Sequence, residues 1–596
     1  MNTTSKKLTI CEGISGFKSL RNSSGYYVDK TWLLKILFDE TQNAVRLITR
    51  PRRFGKSLTM SMFKEFLDID PQNPGDTAKQ QQLFAGTTII EDREFCEKYM
   101  GKYPVISLRL SNIDASDFNK AYKQFALKLW NLANEYTYLQ QSSKLNSSEK
   151  LILAKYQDPD YLTDLDNEPY LEQLLFNLSM MLYKHYGKSV VILIDEYDVP
   201  LEKAAANGYY EQFIKVLRNF FSNALKDNND FLFKGILTGC LKITKESFFT
   251  GLNNFRDYSV LSNSIPFSDG FGFTKQEVLA LLQYYGLEYH QDIVKKWYDG
   301  YRIAEKEIFC PWDVLCFCQD AISSSDPHKH QPQTYWSNTS GNGIIKSFLG
   351  YLKPEDADLM QALLDGNTVK LQFNENINYA ELYQKHDSLD FWTVLLHAGY
   401  ITVIATDNND EGEILYEVRI PNLEIRKCFE KNIREFFTND ERVKHLSLNI
   451  LDLMLKGNDI VLRKTLTSAL KRFVSIRDFQ SKSPKENFYQ GFLDGYFSCI
   501  DDDTYDFKSN QETGDGYADL MFTSPDGLTG VIVELKASKS HESMPRDADK
   551  ALTQIKEKNY DALFVDRTKM HKIISYGIAF YRKECAVAMK VNEYSE

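Results

Sequence analysis

Long apolar runs are absent from this 596-residue chain. The longest, such as Val190 to Ile194, fall far below the ~20 residues that a bilayer-spanning helix needs, so no membrane partner is expected. The N-terminal MNTTSKKLTICEG has two lysines but no apolar core, unlike a secretory signal, and a cytoplasmic location is the expectation. Paired cysteines are missing too. The nine cysteines are scattered, and Cys310, Cys316 and Cys318, the nearest to a cluster, have no C-x-x-C beside them. Reduced, mostly buried thiols are expected rather than a metal site. Nor is there an excess of basic charge: 71 lysines and arginines face 82 acids, a net charge of −11. Phosphate binding normally leaves a basic footprint, so the balance argues against a protein that coats DNA broadly, though not against a local basic groove. Internal repeats and low-complexity tracts are likewise lacking.

What is present is globular composition, 43% hydrophobic and 26% charged, which excludes a disordered chain. Up to about residue 260, helical patterns alternate with short apolar runs: AVRLIT (44 to 49), YPVISLRL (103 to 110), SVVILID (189 to 195) and FLFKGILTG (231 to 239). Such strands separated by helices predict a mostly parallel sheet covered on both faces. Residues 261–350 read as mainly helical, and 440–480 as a helical connector. Between them, at 385–432, DFWTVLLHAGY, ITVIAT, the turn DNNDEGE, LYEVRI and a further helix after Pro421-Asn422 resemble a small winged-helix unit. A break at Pro484 introduces a last mixed α/β segment, 481–596. The predicted fold class is therefore multidomain α/β: a parallel-sheet domain (1–260), a helical and winged-helix-like middle (261–480) and a C-terminal α/β domain (481–596).

The first chemical signal is RLITRPRRFGKSLTM (46 to 60), an apolar strand, a turn, Gly55-Lys56-Ser57 and a helix. That order suits a P-loop. Backbone N–H groups at the helix start hold phosphate oxygens, Lys56 reaches the terminal phosphates and the Ser57 hydroxyl ligates magnesium. The generic pattern asks for glycine where Arg50 stands, and a bare G-K-S also occurs as a basic helix start with no ligand. SVVILIDEYD (189 to 198) supplies the complement, a buried strand ending in Asp195-Glu196. Asp195 would hold magnesium and Glu196 would orient or deprotonate the attacking water. On the strand FLFKGILTG, Thr238 is the candidate to sense the terminal phosphate, and Lys242 and Lys245 either touch phosphate or face water. ATP and Mg2+ are the expected cofactors.

Longer stretches carry a resemblance: YYVDKT (26 to 31), RPRRFGKS (50 to 57), LIDEYDVP (193 to 200), TGCLKITKESFFTGLNNF (238 to 255), FGFT (271 to 274), WYDGY (297 to 301), YWSNTSGN (335 to 342), GYIT (399 to 402) and IPN (420 to 422). Together they resemble the bacterial AAA-ATPase-like family, whose members commonly end in a PD-(D/E)XK nuclease-superfamily domain. The resemblance implies an AAA-like or STAND-like ATP-binding domain and a restriction-endonuclease-like α/β domain at the C-terminus. It also implies that the run containing Arg52, Arg53 and Phe54 is itself the phosphate loop, which makes Arg50 less of a defect. Lys242 stands where the family leads one to expect arginine. AAA-like ATPases usually complete their sites at subunit interfaces, which leaves room for a homo-oligomer.

The second chemical centre is GYADLMFTSPDGLTGVIVELKASK (516 to 539). Asp519 lies on one strand, Pro525-Asp526-Gly527 turns the chain, and VIVELK carries Glu534 and Lys536 two residues apart and so on one face. Two carboxylates, Asp519 and Glu534, can hold one or two magnesium ions, and Lys536 can orient the attacking water or stabilise the pentavalent charge. Gln554, in KALTQIKEKNY, resembles the supporting glutamine of PD-(D/E)XK enzymes, and Glu486, in ENFYQGFL, resembles their helical acid. For both, a solvated helix face is the competing reading. Residues 481–596 carry 15 basic and 20 acidic side chains, so DNA contacts borrowed from elsewhere, or a restricted substrate, are implied.

Two readings follow. In one, the chain is an ATP-regulated, magnesium-dependent nuclease acting on nucleic acid, DNA in preference to RNA. In the other, it is a STAND-like switch whose nuclease-fold domain binds without cleaving.

Overall fold

The computed structural model describes residues 7–39, 45–242, 255–262, 267–336, 354–374, 377, 379–385, 387–408, 412–439, 441–473, 489, 493, 497, 505, 507–513, 516–560, 564, 570–582 and 584–594. The chain forms two compact units, 1–345 with 368–428, and 346–367 with 429–596.

In the first unit, β1 (Val45–Thr49), β2 (Val105–Arg109), β3 (Val190–Asp195), β4 (Leu232–Gly239) and β5 (Phe255–Tyr258) form one sheet in the order β2-β3-β4-β1-β5. Every pairing is parallel. β1 and β3 are buried along their whole length, as expected for strands covered on both faces. One cover is α1 (Lys56–Leu67), whose Met60, Phe63 and Phe66, at helical spacing, meet Ile48, Val105, Val191, Leu193 and Ile236 in one core. Each such side chain contributes roughly 1.5–3 kcal/mol on leaving water. α2 (Phe118–Asn134) and α3 (Tyr210–Leu225) pack together through Phe125, whose ring lies 5.1 Å from Phe220 and 6.0 Å from Phe213.

Two small antiparallel sheets complete this unit. β6 (Phe273–Thr274), β7 (Tyr301–Ile303) and β8 (Lys306–Phe309) run in the order β6-β8-β7 and lead into α4 (Pro311–Ser323), with Pro311 at its first turn. Further on, α5 (Ser388–Ala398), the hairpin β10 (Thr402–Asn408) and β11 (Ile414–Arg419), and α6 (Leu423–Asn439), only whose first residues, up to 428, belong to this unit, follow in the helix–hairpin–helix order read from the sequence. A third strand, β9 (Val369–Leu371), pairs with β11 and had no sequence signal, being only three residues long. A Cβ at Gly399, just after α5, would sit 3.0 Å from the Pro51 Cβ, so this module rests on the 50–55 turn.

The second unit holds a mixed sheet, β12 (Lys508–Thr513), β13 (Gly516–Thr523), β14 (Thr529–Ala537), β15 (Lys572–Tyr581) and β16 (Glu584–Glu593), in chain order. Only β14 and β15 are parallel, and the connection between them carries α8 (Met544–Glu557). Gly577 of β15 is required by packing: a Cβ there would meet Ala548 O at 2.1 Å and Leu552 N at 2.5 Å. α8 therefore lies directly on the sheet. Leu462 and Leu466 of α7 (Asp459–Phe473) share a core with Phe522, Val531, Val533 and Leu535. Met521 and Ile532 pack instead with Ile555 of α8, so successive residues of β13 and β14 serve opposite faces.

Candidate nucleotide and metal sites

The carboxyl ends of the parallel strands are aligned by register: Thr49 pairs with Gly239, and Asp195 with Thr238. An open α/β sheet binds ligands at this edge. The chain turns out of β1 through Arg50 to Phe54 and enters α1 at Gly55, whose φ of +82° suits glycine. The first turn of α1 has no side-chain cap, so its N–H groups are open to an anion. Lys56 is buried, and its Nζ donates to the carbonyls of Arg50 and Pro51, each at 2.8 Å, with Cys240 Sγ at 3.7 Å. Ser57 follows, half-buried.

Arg50 is a buried structural residue. Its guanidinium donates to the carbonyls of Thr49 and Tyr258 at 2.8 Å and of Phe267 at 2.9 Å, and burial pulls its pKa down to about 10. It ties the start of the loop to β5. Arg52 pairs with Glu202 at 3.2 Å. Arg53 is exposed and its guanidinium lies 4.2 Å from the Trp312 ring centre. Phe54 is buried, edge-on to Tyr301 at 5.0 Å.

Across β4, Asp195 is buried and its Oδ1 accepts the Thr238 hydroxyl at 2.6 Å. Glu196 follows with φ of +58°. Arg109, at the end of β2, reaches both acids: its Nε is 3.5 Å from Asp195 Oδ2 and its NH2 is 3.0 Å from Glu196 Oε1. Lys242 is paired with Asp257 of β5 at 2.9 Å. Lys245 and Glu486 lie outside the described residues.

Sequence reasoning missed two residues here. Asp198 is buried; its Oδ2 accepts the N–H groups of Cys240 at 2.8 Å and Leu241 at 2.9 Å, while its Oδ1 has no partner. Burial raises its pKa and the nearby Lys56 opposes the rise. The only signal was a third acid in DEYD. Arg109 had no signal, because its role depends on β2 lying beside β3.

In the second unit the β13–β14 ladder runs to Leu520 opposite Val533. Beyond it, Asp519 Oδ2 accepts the Leu535 N–H at 2.8 Å, so the carboxylate lies against the strand segment holding Glu534 and Lys536. Glu534 is buried; its Oε1 accepts from Lys536 Nζ at 3.3 Å and from Gln554 Nε2 of α8. Glu534 thus shares the α8 side with Ile532, two residues back. Tyr560 is the residue missed here. It is buried, its pKa is raised by that burial, and it is hydrogen-bonded to Gln554 within reach of the charges of Glu534, Asp519 and Lys536.

Among the described residues no three acids, histidines or cysteines gather as metal ligands. Among the described residues the candidate donors are Asp195 with Glu196 in one site and Asp519 with Glu534 in the other, all hard oxygen donors. That suits magnesium, which is usually held by one or two carboxylates with phosphate and water completing its shell.

Residues 11–249 match the family model for a predicted AAA-ATPase, and residues 484–590 match that for the PD-(D/E)XK nuclease superfamily. The chain carries an AAA-ATPase-like domain followed by a PD-(D/E)XK nuclease-superfamily domain. Along its length it is similar to the Azotobacter chroococcum mcd 1 protein named "Uncharacterized protein in vnfD 5'region", at 25% identity over 595 residues, 98% of each chain. No solved structure matches. Among the described residues, no helix is long and apolar enough to cross a membrane.

Proposed function

We propose that the first unit binds and hydrolyses ATP and that the second cleaves nucleic-acid phosphodiesters, DNA in preference to RNA, under control of the nucleotide. The observation that carries the reading is the cluster of Asp519, Glu534, Lys536, Gln554 and Tyr560 around one end of β14. A decayed nuclease fold has no reason to keep an acid buried against a lysine and a glutamine, since such a group is costly to bury without function.

In the first unit the α1 amides and Lys56 grip phosphates once Lys56 leaves the Arg50 and Pro51 carbonyls. Ser57 and Asp195 hold magnesium, Thr238 orients Asp195, and Glu196 positions and deprotonates water after leaving Arg109. In the second, Asp519 and Glu534 hold magnesium, Gln554 fixes Glu534, and Lys536 orients water. Bound magnesium polarises the phosphate and acidifies a water. A homo-oligomer would supply the cation that completes the ATP site.

The acidic balance of residues 481–596 favours a second reading, a STAND-like switch whose nuclease fold binds without cleaving. The two separate in one assay: incubation of the full chain with DNA and RNA, with magnesium, and with or without ATP. Cleavage that needs magnesium and changes with ATP supports the first reading. Nucleic-acid binding without cleavage under every condition overturns it in favour of the switch.

A further inference from the structure

We propose that Trp312 is the base-recognition platform of the nucleotide site and that it selects a purine nucleoside triphosphate. This rests on the ATP-binding reading above and names the part of the ligand that the 50–57 loop cannot read. Trp312 is the second residue of α4, and the start of that helix is held to the loop, with Cys310 Sγ 3.8 Å from the Arg53 carbonyl oxygen. The indole therefore stands one side chain away from the phosphate-binding turn. Its face is covered by the Arg53 guanidinium at 4.2 Å, yet Arg53 itself is exposed to water. A flat cation resting on an indole at a solvent-open edge marks a surface that a flat heteroaromatic ring can take over, leaving the guanidinium to turn to phosphate.

A further observation points the same way. The segment 13–15 crosses the same edge. A Cβ at Gly13 would lie 3.7 Å from the indole ring, while two residues on, the Ser15 hydroxyl is 3.3 Å from Arg109, the arginine that holds Glu196. One short stretch of chain thus runs from the indole to the hydrolytic acid, the layout a nucleotide needs between its base and its terminal phosphate. Stacking strength follows ring area, so a purine with two fused rings gains more on the indole than a pyrimidine with one.

The test is calorimetric titration of the full chain, with magnesium, using ATP, GTP, CTP and inorganic tripolyphosphate. ATP and GTP are expected to bind more tightly than CTP and tripolyphosphate. Trp312→Ala should weaken ATP binding about tenfold, the scale of one lost base–aromatic stack, and leave tripolyphosphate unchanged. Trp312→Phe should keep most of the ATP affinity. Wild-type protein that binds CTP or tripolyphosphate as tightly as ATP overturns the proposal. So does a Trp312→Ala protein that loses ATP and tripolyphosphate in parallel, which makes the indole a structural prop, or one that binds ATP normally. Wild-type protein that binds neither ATP nor tripolyphosphate overturns the ATP reading and this one together.

Discussion

Thr238→Val removes one hydroxyl and almost nothing else. The residue is fully buried on β4, and its Oγ1 donates to Asp195 Oδ1 at 2.6 Å. Asp195 is itself only 6% exposed, so water cannot replace the lost donor. Hydrogen bonds to charged groups are worth roughly 1.5–3 kcal/mol, and that is the expected loss of stability at neutral pH. Thr238→Ser keeps the donor and gives up one methyl group, about 0.8 kcal/mol. Urea denaturation should therefore rank wild type above Ser and Ser above Val. Magnesium titrations of ATP binding should follow the same order, because an Asp195 carboxylate without its orienting partner holds the ion less well. The opposite stability ranking, Val above Ser, would refute the reasoning: volume would then matter at this position and the hydroxyl would be idle.

Lys56→Ala should abolish ATP binding with the fold intact, whereas Glu196→Gln should keep binding and lose hydrolysis; calorimetry and phosphate release distinguish them. Asp519→Ala should remove magnesium-dependent cleavage, read on gels, and leave ATP turnover unchanged. His397, buried at the end of α5 and hydrogen-bonded to the Cys240 backbone, has its pKa pushed down to about 4 by that burial, with Lys242 adding to the effect. The unfolded chain takes up the proton first, near pH 6.5, so the stability His397 contributes above that pH is lost as the pH falls towards 4, by on the order of 3 kcal/mol in all. His397→Leu should flatten the denaturation profile of the first unit across that window.

The placement of the candidate phosphate loop and of the acidic strand end was legible because each is local: a strand, a turn and a helix carry Lys56 and Ser57, and one strand leads to Asp195 and Glu196. Asp519, Glu534 and Lys536 were legible for the same reason, since a hairpin brings them together. Arg109, Asp198 and Tyr560 were not, because each acts across the order of strands or from the far end of a helix. Arg50 looked like a flaw in a glycine position, whereas the structure uses it as a buried clamp on three carbonyls. That role depends on Tyr258 and Phe267, more than 200 residues downstream.

The first unit is discontinuous, closing only with residues 368–428. During synthesis at about 5–20 residues per second, the phosphate loop emerges tens of seconds before Gly399 and His397, its neighbours at Pro51 and Cys240. For that interval Pro51 and the Cys240 backbone lack these two contacts, and the candidate nucleotide site is without that support. The same interleaving governs cloning. A cut at residue 345 strands half a socket, and an excised nucleotide half must either run through residue 428 or be rejoined across 346–367.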